Sequence, residues 1–206
     1  ASWGMVDWKA LAYHWRTTRF DAAIIATTAI SAIAISIEFC VLIGVLMSFM
    51  LTVPRAGRML LSQFVIAPEG YVREMLPGEK PCSRLLIFGL EGEMFFGATS
   101  TLEQHLARIE AEVTAETRVV ILRLKRTRNP DAVALAELDQ WMERLEARGI
   151  RVILCGVQAG MLKVMEKAGL TERLGADRLF PEERIRQTST MRAVEAAYHL
   201  LGDRCE

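Results

Sequence analysis

Hydrophobic and polar residues divide the chain into two unequal parts. Residues 22–53 read AAIIATTAISAIAISIEFCVLIGVLMSFMLTV, and Glu38 is the only charged residue between Asp21 and Arg55. This run exceeds the roughly 18 to 20 apolar residues that suggest a membrane-spanning helix. A single helix over it would reach about 48 Å, beyond a hydrocarbon core of about 30 Å. Two shorter helices that turn near Glu38 fit better, because a carboxylate at a turn near the interface stays hydrated. Basic residues flank the run at Lys9, Arg16 and Arg19 and at Arg55 and Arg58. By the positive-inside rule both flanks are cytoplasmic. Each arm, at about 24 Å, is short for an isolated span and calls for protein neighbours. Small residues at Ala22, Ala23, Ala26, Thr27, Ala29, Ser31, Ala32 and Ala34 allow close packing, and Gly44 marks the bulkier second arm. A simple membrane anchor is the plainer alternative.

Trp3, Met5, Trp8, Leu11 and Trp15 alternate with charged residues across 1–18, the pattern of an interfacial amphipathic helix. The hairpin is assigned to 20–53, a basic connector to 54–68 and a soluble domain to 69–203. Within that domain the pattern alternates between strand and helix. Strands are expected at 71–76, 84–90, 118–124, 150–155 and 178–180, with 93–96 continuing or pairing with the second. Ser100 and Glu103 have capping-box spacing, and Leu102, Leu106, Ile109 and Val113 mark a first helix. Asp131 can cap a second helix carrying Leu135, Leu138, Met142 and Leu145, which Arg148-Gly149 ends. A third helix lies at 161–168, and Met191, Val194, Tyr198 and Leu201 mark a last one. This order predicts an α/β domain with a mainly parallel or mixed sheet covered by helices.

Composition narrows the function. The 25 Lys+Arg balance 25 Asp+Glu, so the basic surplus that phosphate-backbone binding requires is missing and no nucleic-acid partner is expected. Cys40, Cys82, Cys155 and Cys205 show no CxxC or Cys/His spacing and read as reduced thiols, with no zinc site. His14, His105 and His199 stand apart from any candidate nucleophile, so no catalytic residue, metal or cofactor is assigned. The start at Ala1, already inside an aromatic amphipathic stretch, suits a piece of a longer chain.

Arg19-Phe20-Asp21-Ala22, Glu38 and Leu42-Ile43-Gly44-Val45 resemble the last two transmembrane helices of the SulP anion permeases. Phe95-Phe96-Gly97-Ala98 looks like the FFxNA turn of the STAS domain that follows them in that family. Val119 to Leu124 resembles its central strand, Glu146-Ala147-Arg148-Gly149-Ile150 its helix-to-strand turn, and Lys167-Ala168-Gly169-Leu170 the end of its third helix. The resemblance implies a STAS domain behind a two-helix transmembrane hairpin, the C-terminal part of a secondary anion transporter at the inner or plasma membrane, with STAS in the cytoplasm. The implied partners are the lipid bilayer, the remaining transporter helices or a partner subunit, a second copy in a homodimer, and a cytoplasmic protein bound through STAS. The anion site of that family lies in earlier helices without counterpart here. Where related anti-sigma-factor antagonists carry a phosphorylated Asp-Ser-Ser-Gly, this chain has Asp131-Ala132-Val133-Ala134, so the switch hydroxyl is absent. A membrane-anchored STAS interaction module without transport is the alternative reading.

Two groups of candidate residues follow. Lys125, Arg126, Arg128, Asn129 and Asp131 form a basic loop before a helix N-terminus, suited to a nucleotide, a phospholipid headgroup or an acidic protein surface. The plainer reading is a solvated basic loop near the membrane. Asp21, Glu38 and Gly44 are candidates for membrane gating, against a helix cap at Asp21 and a hydrated turn at Glu38. Ser100 reads as a cap rather than a nucleophile.

Overall fold

A computed structural model describes residues 19–34, 37–185 and 187–202. The expected interfacial helix at 1–18 and Cys205 lie outside the described residues. The chain forms two compact units, residues 1–55 and 56–206.

In the first unit, helices α1 (Arg19–Ala34) and α2 (Ile37–Ala56) pair along the expected hairpin. Thr28 is the contact point: its carbonyl accepts the Cys40 thiol at 3.1 Å, and a Cβ added at Gly44 would meet its hydroxyl at 3.1 Å. The missing side chain of Gly44 thus lets the helices approach, as small residues do. The other side of α2 is apolar and bare, with Phe39, Leu42, Val45, Leu46, Phe49 and Met50 all more than half exposed. Among the described residues no helix is long and apolar enough to cross a membrane.

The second unit is a six-stranded sheet in the order β2-β1-β3-β4-β5-β6. Its strands are β1 (Met59–Ile66), β2 (Val72–Glu74), β3 (Leu85–Glu93), β4 (Val119–Arg128), β5 (Arg151–Val157) and β6 (Leu179–Pro181). β1 pairs antiparallel with β2 and β3, and β3 to β6 are parallel. The helices are α3 (Thr99–Glu112), α4 (Ala132–Ala147), α5 (Ala159–Lys167), α6 (Leu170–Leu174) and α7 (Thr188–Leu201).

Alternate residues of the parallel strands are buried on opposite faces, which is why their sequences read as unbroken apolar runs. Leu86, Phe88, Val120, Leu122, Val152 and Leu154 meet α3 to α6 in one core. Leu85, Ile87, Val119, Ile121, Ile153 and Cys155 join Ala193, Val194 and Ala197 of α7 in the other. Arg178 sits on the first side, donating to Glu146, to the Leu174 carbonyl and to the Arg173 carbonyl, and so ties α6 to α4.

Several expectations need correction. The stretch 54–68, read as a connector, contains β1. Its apolar residues follow the hairpin so closely that only Gly57 and Arg58 separate the two patterns. Ser100 is not a cap: α3 begins at Thr99 from Ala98 without a side-chain cap bond, because a 3-10 turn at Phe96–Ala98 leads into it. Residues 125–128 are not a loop but the extended end of β4. Cys82 is disulfide-bonded, so among the described residues only Cys40 and Cys155 are free thiols.

Candidate functional site

The C-terminal ends of β3 and β4 bring together most of the predicted basic group. The two strands shift register between Gly89 and Glu91, which places Glu91 beside Arg126 and Glu93 beside Arg128. Arg126 donates to Glu91 at 2.9 Å, and Lys125 pairs with Glu182 at 2.5 Å. Two of the three cations are therefore matched by carboxylates; such partly exposed pairs are worth about 0 to 1 kcal/mol each. Arg128 is exposed and has no side-chain partner among the described residues.

Asn129 adopts a left-handed backbone, with φ of 49°, and its amide donates to Glu93 at 2.6 Å. The turn allows Asp131 to reach two elements at once. Oδ1 accepts the Ala134 N–H at 2.9 Å and caps α4, while Oδ2 accepts the Phe96 N–H at 2.6 Å. Beside them a cavity of about 470 Å³ opens between Thr127, Arg128, Asn129 and Pro130 on one side and Gln158 and Met161 on the other. Gln158 is fixed there by donating to the Lys125 carbonyl at 2.7 Å. The Asp131 cap was legible from sequence; its tie to Phe96 was not, since nothing in the spacing links residues 35 apart.

The gating candidates are in the other unit. Asp21 and Glu38 fall in the first turns of α1 and α2, and their side chains lie outside the described residues. Gly44 packs against Thr28 as stated above. Among the described residues no three metal-ligating side chains converge.

A second hollow, of about 280 Å³, opens on the α7 side of the sheet, where Lys125 and Arg126 of the predicted group are joined by Phe64, Gly89 and Arg123, which the sequence did not single out. Arg123 is its most buried cation. It follows Val119 and Ile121 on that face, lies beside Gly89 of β3 and Cys155 of β5, and stacks 4.2 Å from the centre of the Phe64 ring. Burial pushes its pKa down, and burial also pushes the adjacent Cys155 thiol up to about 12. The available signal was a lone arginine inside an apolar strand.

Such a sheet, with α3 to α6 of three consecutive crossovers on one face and α7 on the other, defines a small α/β domain. The STAS domain family matches residues 79–184. The chain belongs to the STAS-domain family, and its relatives agree with the SulP resemblance drawn from the hairpin and turn residues. It is 23% identical over 181 residues to the putative sulfate transporter YvdB of Bacillus subtilis, covering 87% of this chain and 32% of that protein. It is 22% identical to sulfate transporter 3.2 of Arabidopsis thaliana, covering 86% and 29%. The fold is similar to that of the murine Solute Carrier 26 family member A9 anion transporter, with a TM-score of 0.70 and 15% identity over 90% of this chain and 30% of that one. The chain thus spans about a third of the length of these relatives.

Proposed function

We propose that this chain is the C-terminal segment of a SulP-type secondary anion transporter, in which α1 and α2 are gate-side membrane helices and the STAS domain is a cytoplasmic regulatory and assembly unit. The observation that carries this reading is the order of parts: a helical hairpin directly before a STAS fold, in a chain of which 86 to 87% is matched by sulfate transporters. The bare apolar side of α2 supports contact with lipid and with the remaining transporter helices, because exposed apolar patches of this extent mark interaction surfaces. Asp21, Glu38 and Gly44 are the proposed gating positions. Arg128, the unpaired member of the basic group, is the proposed contact for an anionic headgroup or an acidic partner of STAS. The assembly proposed is a homodimer at the inner or plasma membrane.

Alkaline carbonate extraction of membranes from cells expressing the chain tests the membrane placement. The protein is expected in the pellet, with its STAS domain cleaved only by protease added on the cytoplasmic side. Release into the supernatant would overturn the placement.

A further inference from the structure

The hollow at Arg123 holds a partly buried cation that makes no ion pair among the described residues. Among the described residues no carboxylate lies within ion-pair distance of this guanidinium. Its hydrogen bond, from Nε to Thr190 Oγ1 at 3.2 Å, is to a neutral hydroxyl. Glu91 and Glu182 act on it from a distance, and each is already paired, with Arg126 and Lys125 respectively. Arg123 is half-buried, and partial loss of water around a cation without a counter-ion is relieved when an anion enters beside it.

The surroundings shape a cavity rather than a packed core. Gly89, next to Arg123 in the sheet, lets the Phe64 ring lie against the strand on this face, since a Cβ there would come within 2.6 Å of that ring. Phe64 holds the guanidinium plane by stacking, which leaves the terminal amino groups available as a fork. Lys125, Arg126 and Gln187 also line the hollow, as do the carboxylates of Glu74 and Glu91. The Gln187 amide is committed to the Val72 carbonyl at 3.2 Å. Glu74 is the lining carboxylate without a partner among the described residues.

We propose that this hollow binds a small oxyanion, a carboxylate or a tetrahedral anion, on the terminal amino groups of Arg123. A planar fork matches two oxygens of either geometry, and a hollow of about 280 Å³ has room for a small ion. Binding here would couple the STAS domain to anion concentration. The site is independent of whether the hairpin crosses a membrane.

The test is titration of the whole chain in detergent micelles with sulfate, phosphate or succinate against chloride at equal ionic strength, read as heat of binding and as thermal midpoint. Saturable binding of at least one oxyanion is expected, and the arms distinguish tetrahedral anions from carboxylates. Arg123→Gln should abolish it. Arg123→Lys, which keeps charge without the fork, should weaken it about tenfold or more, as loss of a charge-assisted hydrogen bond does. Glu74→Gln should tighten it by removing an opposing charge. If Arg123→Gln does not fold, the other two variants decide. No saturable response, an unchanged response in Arg123→Gln or Arg123→Lys, or no effect of Glu74→Gln overturns the proposal.

Discussion

Asp131 holds Phe96 by a 2.6 Å hydrogen bond from the Phe96 N–H to Oδ2, while its Oδ1 caps α4 through Ala134 at 2.9 Å. One carboxylate thereby joins the turn after β3 to the helix after β4. The link is reinforced by the Asp131 N–H, which donates to the Met94 carbonyl at 3.1 Å. The two residues that follow Asp131, Ala132 and Val133, carry no hydroxyl, and the Asp131 carboxylate is engaged by backbone N–H groups on both sides.

Asp131→Ala is expected to destabilise the domain by about 1 to 2 kcal/mol, the usual cost of a lost N-cap acceptor. Asp131→Asn keeps one acceptor oxygen and should lose about half of that. Urea denaturation of the two variants, compared through their midpoints, checks the ranking. Equal stability of the alanine variant and the parent would mean that the cap contributes nothing.

Gly57 and Gly149 should respond differently to alanine. A Cβ at Gly57 would lie 2.5 Å from the Gly97 carbonyl oxygen, so backbone must move, and overpacking of this kind costs about 1 to 3 kcal/mol. At Gly149 nothing lies within 4 Å, but φ is 77°, and the cost is the left-handed strain of about 1 to 2 kcal/mol. Thermal unfolding of both variants, each paired with a crystal structure, should find a displaced 3-10 turn only in Gly57→Ala.

Arg73 grips Glu79 through both guanidinium nitrogens and, with the Leu76 N–H, holds its carboxylate at about 2 against an ordinary value of 4.5. Because the folded value is the lower one, this contribution is present above the unfolded value and fades as pH falls toward about 2. The stability difference between the parent and Glu79→Gln should therefore be largest at neutral pH and shrink through that acid window. A difference that grows on acidification would reverse the sign of the argument.

Cys155 is fully buried and its thiol is shifted up to about 12, chiefly by burial. Thiolate reagents should leave it unmodified in the native chain at neutral pH and label it once the domain is unfolded. Peptide mapping by mass spectrometry reads this directly. Labelling in the native state would show that the α7 side opens readily.

The parallel strands were legible because each is buried on both faces: 118–124 is almost wholly apolar, the helices on either side of it keep three- and four-residue spacing, and the one after it is capped by Asp131. β1 was not, since MLLSQFVI adjoins the hairpin and only its place beside β3 makes it a strand. Arg123 was passed over for a related reason. Its significance depends on Phe64 and Gly89 of other strands, and on the absence of a carboxylate partner among the described residues, neither of which is local. The basic run 125–128 was visible, but the partners of Lys125 and Arg126 come from β3 and from the segment after β6.

Uptake of labelled sulfate, bicarbonate and chloride into membrane vesicles, compared between the 206-residue chain alone and the product of the uninterrupted reading frame that contains it, tests the central claim most directly. The account predicts uptake by the longer product, loss of that uptake when the hairpin is deleted, and none above background for the chain alone. Uptake by the chain alone, or undiminished uptake without the hairpin, would contradict it.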